Sequence, residues 1–143
     1  MSWIPRAHHW KGPIYLISDP DPTDQKYYGD RVPGVYVLAR MDVSRCRSHR
    51  IHTTKCTSPI YVGQTSESIY DRIQSHLSDR DSEMYELLKE IMDTQFRYWF
   101  LEEHDDVNRA YFEHSLFWYY GCRWSIFNRV VPSGERVPME PPF

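Results

Sequence analysis

Two short apolar runs constrain the chain most: Val35–Leu38, opened by Pro33-Gly34, and Ile60–Val62, closed by Gly63. Each is too short and too β-branched for a helix, so both are read as strands. Beyond the second run the hydrophobic period lengthens. Ile69, Ile73 and Leu77 fall at i, i+4 and i+8, with Ser68 as N-cap and Asp71 three residues on, which predicts a helix over 67–77. Residues 14–17 (Ile-Tyr-Leu-Ile) read as another short strand, cut off by the turn signal Asp-Pro-Asp-Pro. A second helix is expected over about 82–92, where Met84, Leu87, Leu88 and Ile91 form an apolar stripe and the acidic residues a solvated face. Residues 95–101 suit a strand covered on both faces, because Trp99 and Leu101 fall on the second face. Asp105-Asp106 then caps a long aromatic helix with Gly121 as its C′ residue, and Tyr111, Phe117 and Trp118 are expected to pack on the sheet. The order β, β, β, α, α, β, α gives an α+β class.

Composition narrows the function classes. The 143 residues predict one domain, and 41% hydrophobic with 15% aromatic residues supply a core and exclude disorder for most of the chain. No run approaches the eighteen or so apolar residues of a membrane span, and the first ten residues lack an apolar signal core. Three cysteines, Cys46, Cys56 and Cys122, are too few for a disulfide scaffold, so a soluble, cytoplasmic protein is expected. A net charge of −3 argues against non-specific coating of nucleic acid. The charge is unevenly placed: residues 1–60 hold nine Lys/Arg and five Asp/Glu, whereas residues 61–143 hold eight and fifteen. A polyanion is expected to approach the N-terminal side.

Gly34-Val35-Tyr36 and Tyr61-Val62-Gly63 fall on two neighbouring strands, Arg72 follows Gly63 by nine residues, His76 lies one turn further, Glu113 is in the aromatic helix and Asn128 follows it. In that order and combination the chain resembles the GIY-YIG nuclease family, with Val replacing Ile in both name-giving tripeptides. The resemblance covers residues 33–134, leaving 1–32 as an N-terminal extension with a possible extra strand and 135–143 as a tail. It implies a small antiparallel three-stranded sheet flanked by helices and a metal-dependent endonuclease that hydrolyses DNA phosphodiester bonds with Mg²⁺ or Mn²⁺. It implies further that Tyr36 and Tyr61 line the active site, that Arg72 contacts the scissile phosphate and that Glu113 ligates the metal. Asn128 looks like the family's late Asn, and His76 resembles the His that many members carry after the Arg. Gly63 and Gln64 are expected beside the substrate.

The residue chemistry agrees with that expectation. Phosphodiester hydrolysis needs a base for water, a cationic clamp and something to stabilise the departing oxygen. A tyrosine hydroxyl titrates near 10, so it serves as base only beside a cation. Arg suits the clamp because its planar fork donates two parallel hydrogen bonds. Glu113, among Tyr111, Phe112, Leu116, Phe117 and Trp118, is costly to bury without a partner or a cation. A single carboxylate fits a Mg²⁺ ion held mainly by water and substrate oxygens, and the lack of a clustered second carboxylate favours one metal over two. The bland readings are sheet-core tyrosines, a helix-surface His76 and a turn-capping Asn128.

The chain departs from the family between the two tyrosines, where Met41 to Ser58 are inserted. This basic loop carries Arg45, Arg47, Arg50 and Lys55 against Asp42, so it is either a solvated loop or a phosphate-backbone contact. Cys46, His49, His52 and Cys56 within it have zinc-type chemistry but are packed too closely to surround one ion readily, and no stoichiometric zinc is expected. The aromatic residues between Phe96 and Phe127 are expected to be core rather than a base-stacking platform. Trp3 and Trp10 are expected either to dock on the domain or to mediate a subunit contact. A restriction-type enzyme of this size would need a homodimer to cut both strands at a symmetric site, and no membrane partner is expected. The rival from another class is a catalytically silent nucleic-acid-binding or interaction module on the same fold.

Overall fold

The computed structural model describes residues 3–15, 29–41, 57–78, 96–122 and 131–143. Four strands, β1 (Lys11–Tyr15), β2 (Gly34–Met41), β3 (Thr57–Thr65) and β4 (Phe96–Glu102), form one sheet in the order β1-β4-β2-β3. Every pairing is antiparallel. Two helices accompany it, α1 (Ile69–Ser78) and α2 (Asp106–Gly121), with a 3₁₀ turn at Ala7–His9. The α+β class and the antiparallel sheet stand as expected; the strand count is corrected from three to four. The fourth strand comes from the N-terminal segment, where Ile14 pairs with Tyr98 and Tyr15 with Arg97. The physical reason lies in β4, whose residues from Phe96 to Leu101 are buried apart from a half-buried Trp99. Such a strand is poorly suited to an open edge.

Period-two alternation sorts the sheet residues into two cores. Tyr36, Leu38, Tyr98 and Phe100 share one face with Ile69 and Ile73 of α1, while Val35, Val37, Val62 and Leu101 share the other with Phe112, Leu116 and Tyr120 of α2. Both helices begin at caps legible in the sequence. The Asp71 amide donates to Ser68 Oγ at 3.3 Å, and the Asn108 amide donates to Asp105 Oδ1 at 2.8 Å. The far end of α2 differs from expectation: Gly121 is its last helical residue, and the C-cap is Cys122 in a right-handed conformation.

The phase of α2 also differs. Its sheet-facing stripe is Phe112, Leu116 and Tyr120 rather than Tyr111, Phe117 and Trp118, and Trp118 and Tyr119 are 41% and 43% exposed. A helix aromatic on nearly every side carries no phase in its own pattern. Neighbours supply it: Ser115 Oγ accepts from the Val137 amide at 2.8 Å, and the Tyr120 hydroxyl donates to the Phe143 carbonyl at 3.1 Å. Trp10 joins the same core, with Trp3, Val137, Met139 and Phe143 packed around it. Trp10 Nε1 donates to the Glu140 carbonyl at 2.9 Å. Both tryptophans therefore dock on the domain.

The β2–β3 hairpin is longer than its apolar runs suggest, continuing through Arg40↔Ser58 to Met41↔Thr57. A bulge interrupts it, because Leu38 pairs with Tyr61 while Ala39 pairs with Pro59. Ile60 is the extra residue, and it lies in the same core as Tyr61. The expected helix over 82–92, the basic residues Arg45, Arg47 and Arg50, the Cys46/His49/His52/Cys56 run and Asn128 lie outside the described residues. No helix among the described residues is long and apolar enough to cross a membrane.

Candidate active site

The two tyrosines of the strand motifs meet on the α1 face. Tyr36 pairs across the ladder with Gly63, and Leu38 with Tyr61, so both rings project from the same face of the sheet. Their centroids are 6.2 Å apart at an interplanar angle of 29°. Gly63 is required by sterics: a Cβ there would occupy the space of Tyr36 Cζ and its hydroxyl. The glycine of the second tripeptide thus makes room for the tyrosine of the first. Gly34 is needed for a similar reason, since a Cβ would run into the Leu101 carbonyl on β4.

Helix α1 brings its polar residues to these rings. Ile69 and Ile73 anchor it in the core, and the one-turn spacing of Arg72 and His76 places them on a common flank. His76 is 1% exposed, which removes the helix-surface reading of this residue. Its Nε2 lies 2.9 Å from the Tyr36 hydroxyl, and its ring meets Tyr61 edge-on at 5.2 Å. Depending on the imidazole tautomer, either the hydroxyl donates to the nitrogen or the N–H donates to the oxygen. Burial works against the charge on Arg72, but attraction to and hydrogen bonding with Tyr36, then Tyr61, outweigh it and hold the guanidinium above its ordinary pKa. Four of the expected residues, Tyr36, Tyr61, Arg72 and His76, therefore form one connected cluster.

Arg72 also lines a cleft of about 620 Å³. Gln64, Thr65 and Ser66 form one wall, Ser68, Asp71 and Ser75 contribute from α1, and Asp106 and Arg109 close it from α2. The expected Gln64 thus lines the cleft, and Gly63 lies against the Tyr36 ring. Glu113 is half-buried on α2. It stands seven residues from Asp106 and four from Arg109, hence on their side of the helix, but it does not itself line the cleft.

Sequence reasoning missed Asp106 and Arg109 as site residues. Arg109 Nη1 donates to the Glu103 carbonyl at 3.1 Å, and Nη2 pairs with Asp106 Oδ1. The available signal was the basic residue one turn before Glu113 on an otherwise aromatic helix. Among the described residues no group of three or more His, Cys, Asp and Glu side chains is arranged to hold a metal ion. No protein-family model, curated protein or solved structure matches the chain.

Proposed function

We propose that the protein is a metal-dependent endonuclease of GIY-YIG type that hydrolyses DNA phosphodiester bonds. The observation that supports this reading most is the joining of Arg72 to both tyrosines beside a polar cleft, with His76 hydrogen-bonded to Tyr36. Structural tyrosines need neither a cation nor an imidazole. An arginine beside them favours negative charge on the phenol oxygens, and the same guanidinium has donors for a phosphate entering the cleft.

In this mechanism Arg72 holds the non-bridging oxygens of the scissile phosphate. The water oxygen attacks phosphorus while its proton passes to the Tyr36 oxygen, and the Tyr36 proton passes to His76 Nε2 in its unprotonated form. The opposite P–O bond breaks, and the departing oxygen takes a proton from solvent. Tyr61 stacks beside Tyr36 and shares the charge of Arg72, which keeps the guanidinium oriented. Glu113, half-buried and four residues beyond the cleft residue Arg109, would be the protein's carboxylate ligand for a divalent cation, an ion that takes most of its ligands from water and substrate. When bound, that cation supplies charge stabilisation for the phosphate and the leaving oxygen.

The test is incubation of the purified protein with supercoiled plasmid, with Mg²⁺ or Mn²⁺ and with EDTA. Nicking or linearisation that requires the metal and disappears in Glu113→Ala, with DNA binding retained within a few-fold, is the expected result. Plasmid that is bound yet remains intact with either metal would replace this reading with that of a silent binding module.

A further inference from the structure

Arg109 is a buried cation with an incomplete anion partner. Its side chain is only 4% exposed, whereas that of its ion-pair partner Asp106 is 87% exposed. A guanidinium taken out of water needs its donors satisfied and its charge balanced. Nη1 is satisfied by the Glu103 carbonyl, and Nη2 by one oxygen of Asp106. Nε is buried without a hydrogen-bond partner among the described residues. Nε and Nη2 form the same edge of the guanidinium, the edge that receives two oxygens of one oxyanion side by side. Asp106 therefore fills half of a two-oxygen site, and both residues line the cleft that Arg72 enters from α1.

We propose that Arg109 is a second phosphate-binding residue, taking the phosphate that adjoins the one at Arg72 on a DNA strand, and that Asp106 is an internal placeholder which this phosphate displaces. The choice of ligand rests on the nuclease reading; the oxyanion site does not. A phosphate presents two non-bridging oxygens to the Nε/Nη2 edge, where Asp106 reaches only Nη2. The Asp106 carboxylate is itself exposed and regains water when it leaves, while the incoming phosphate takes over the charge balance that the buried Arg109 requires. In the free protein it balances the buried charge, and it also weakens every incoming anion. Two clamps make the protein selective for strands carrying adjacent phosphates over compounds with an isolated one.

The test is binding without metal, in EDTA, with inorganic pyrophosphate in one arm and a short DNA oligonucleotide in the other, while the Arg109 Nε–H resonance is followed by NMR. The expected result is a shift of that resonance in both arms and binding about three- to tenfold tighter for Asp106→Asn. Glu67→Gln removes the same charge from the cleft wall and should have a clearly smaller effect. Arg109→Gln should weaken both probes by at least about tenfold and abolish the benefit of Asp106→Asn. Asp106→Asn carries the test should Arg109→Gln fold poorly, because Asp106 is exposed and Asp105 is the helix cap. An unmoved Nε–H resonance, no binding of either probe, or equal gains from Asp106→Asn and Glu67→Gln would overturn the proposal. Pyrophosphate binding at Arg109 without DNA binding would keep the oxyanion site but overturn the DNA assignment. Binding as expected without plasmid cleavage would retain the second clamp and remove only the catalytic reading.

Discussion

The two faces of the sheet are both closed to water, yet they are built from different chemistry. Against α2 the strands present Val35, Val37, Val62 and Leu101 to Phe112 and Leu116, a hydrocarbon contact that needs no hydrogen-bond partners. Against α1 the strands carry Tyr36, Tyr61 and Tyr98 among their core residues, and α1 itself brings His76; each polar atom brings a desolvation cost that must be met. The Tyr98 hydroxyl meets it by donating to the buried Asp30, and the Tyr36 hydroxyl through His76. On the second face the strand residues are hydrocarbon, and the polar atoms of Trp10 and Tyr120 turn outward to the Glu140 and Phe143 carbonyls of the C-terminal segment. The α1 face differs in that its strands and helix bring their polar atoms together within the core, as Tyr36 and His76 do.

The comparison can be broken from its apolar side first. Phe112→Ala is expected to lower unfolding free energy by about 3–5 kcal/mol, as for other buried Phe truncations, while cleavage per folded molecule at low temperature is retained. Denaturant unfolding beside a plasmid assay reads both quantities, and loss of cleavage in the folded fraction would show that the faces are not separable. Arg72→Lys is the reverse case. It should reduce cleavage by about a hundredfold or more, through loss of the planar fork, with little change in unfolding.

A smaller effect is expected where the α1 face serves both purposes. Tyr36→Phe leaves His76 Nε2 without its hydroxyl partner, costing about 1–3 kcal/mol, and it should impair cleavage more than Tyr61→Phe does. Equal mild losses of activity in the two variants would move the base role away from Tyr36. The smallest effect belongs to Tyr120 on the apolar face. Burial raises its phenol above the ordinary value, with the Phe143 carbonyl working the other way and Tyr119 adding to the rise. Its contribution is complete below about pH 10, where folded and unfolded chains are both protonated, and is lost as alkali removes the proton from the unfolded chain first. Unfolding free energy measured across that range should fall more gently in Tyr120→Phe than in the parent; parallel curves would remove Tyr120 from the alkaline response.

What was legible in the sequence was what local chemistry decides. The strands around Tyr36 and Tyr61, the start of α1 at Ser68 and the Asp105 cap follow from period, β-branching and a side chain's reach to its own backbone. The place of the N-terminal strand in the sheet was not legible, because Ile14 pairs with Tyr98, far along the chain, and no local pattern records that contact. Nor was the phase of α2, which its aromatic residues leave open and Val137 and Phe143 settle. Arg109 shows the same limit at the site. In sequence it takes no assigned role, and only its burial, the Glu103 carbonyl and the cleft beside it reveal a buried charge.

The bulge at Ile60 divides the β2–β3 hairpin into two ladders with independent registers: Gly34–Leu38 with Tyr61–Thr65, and Ala39–Met41 with Thr57–Pro59. The first is locked by the fit of Tyr36 over Gly63, because a one-residue slip would turn Tyr61 to the opposite face. The second leads into the segment joining the strands and contains no glycine, so no ring-over-glycine fit sets its register. A residue gained or lost in that segment can therefore be absorbed on its own side of Ile60, much as an expansion joint takes up movement in one span of a bridge without shifting the next. A change of length in the connection would then leave the relative placement of the two tyrosines as it is.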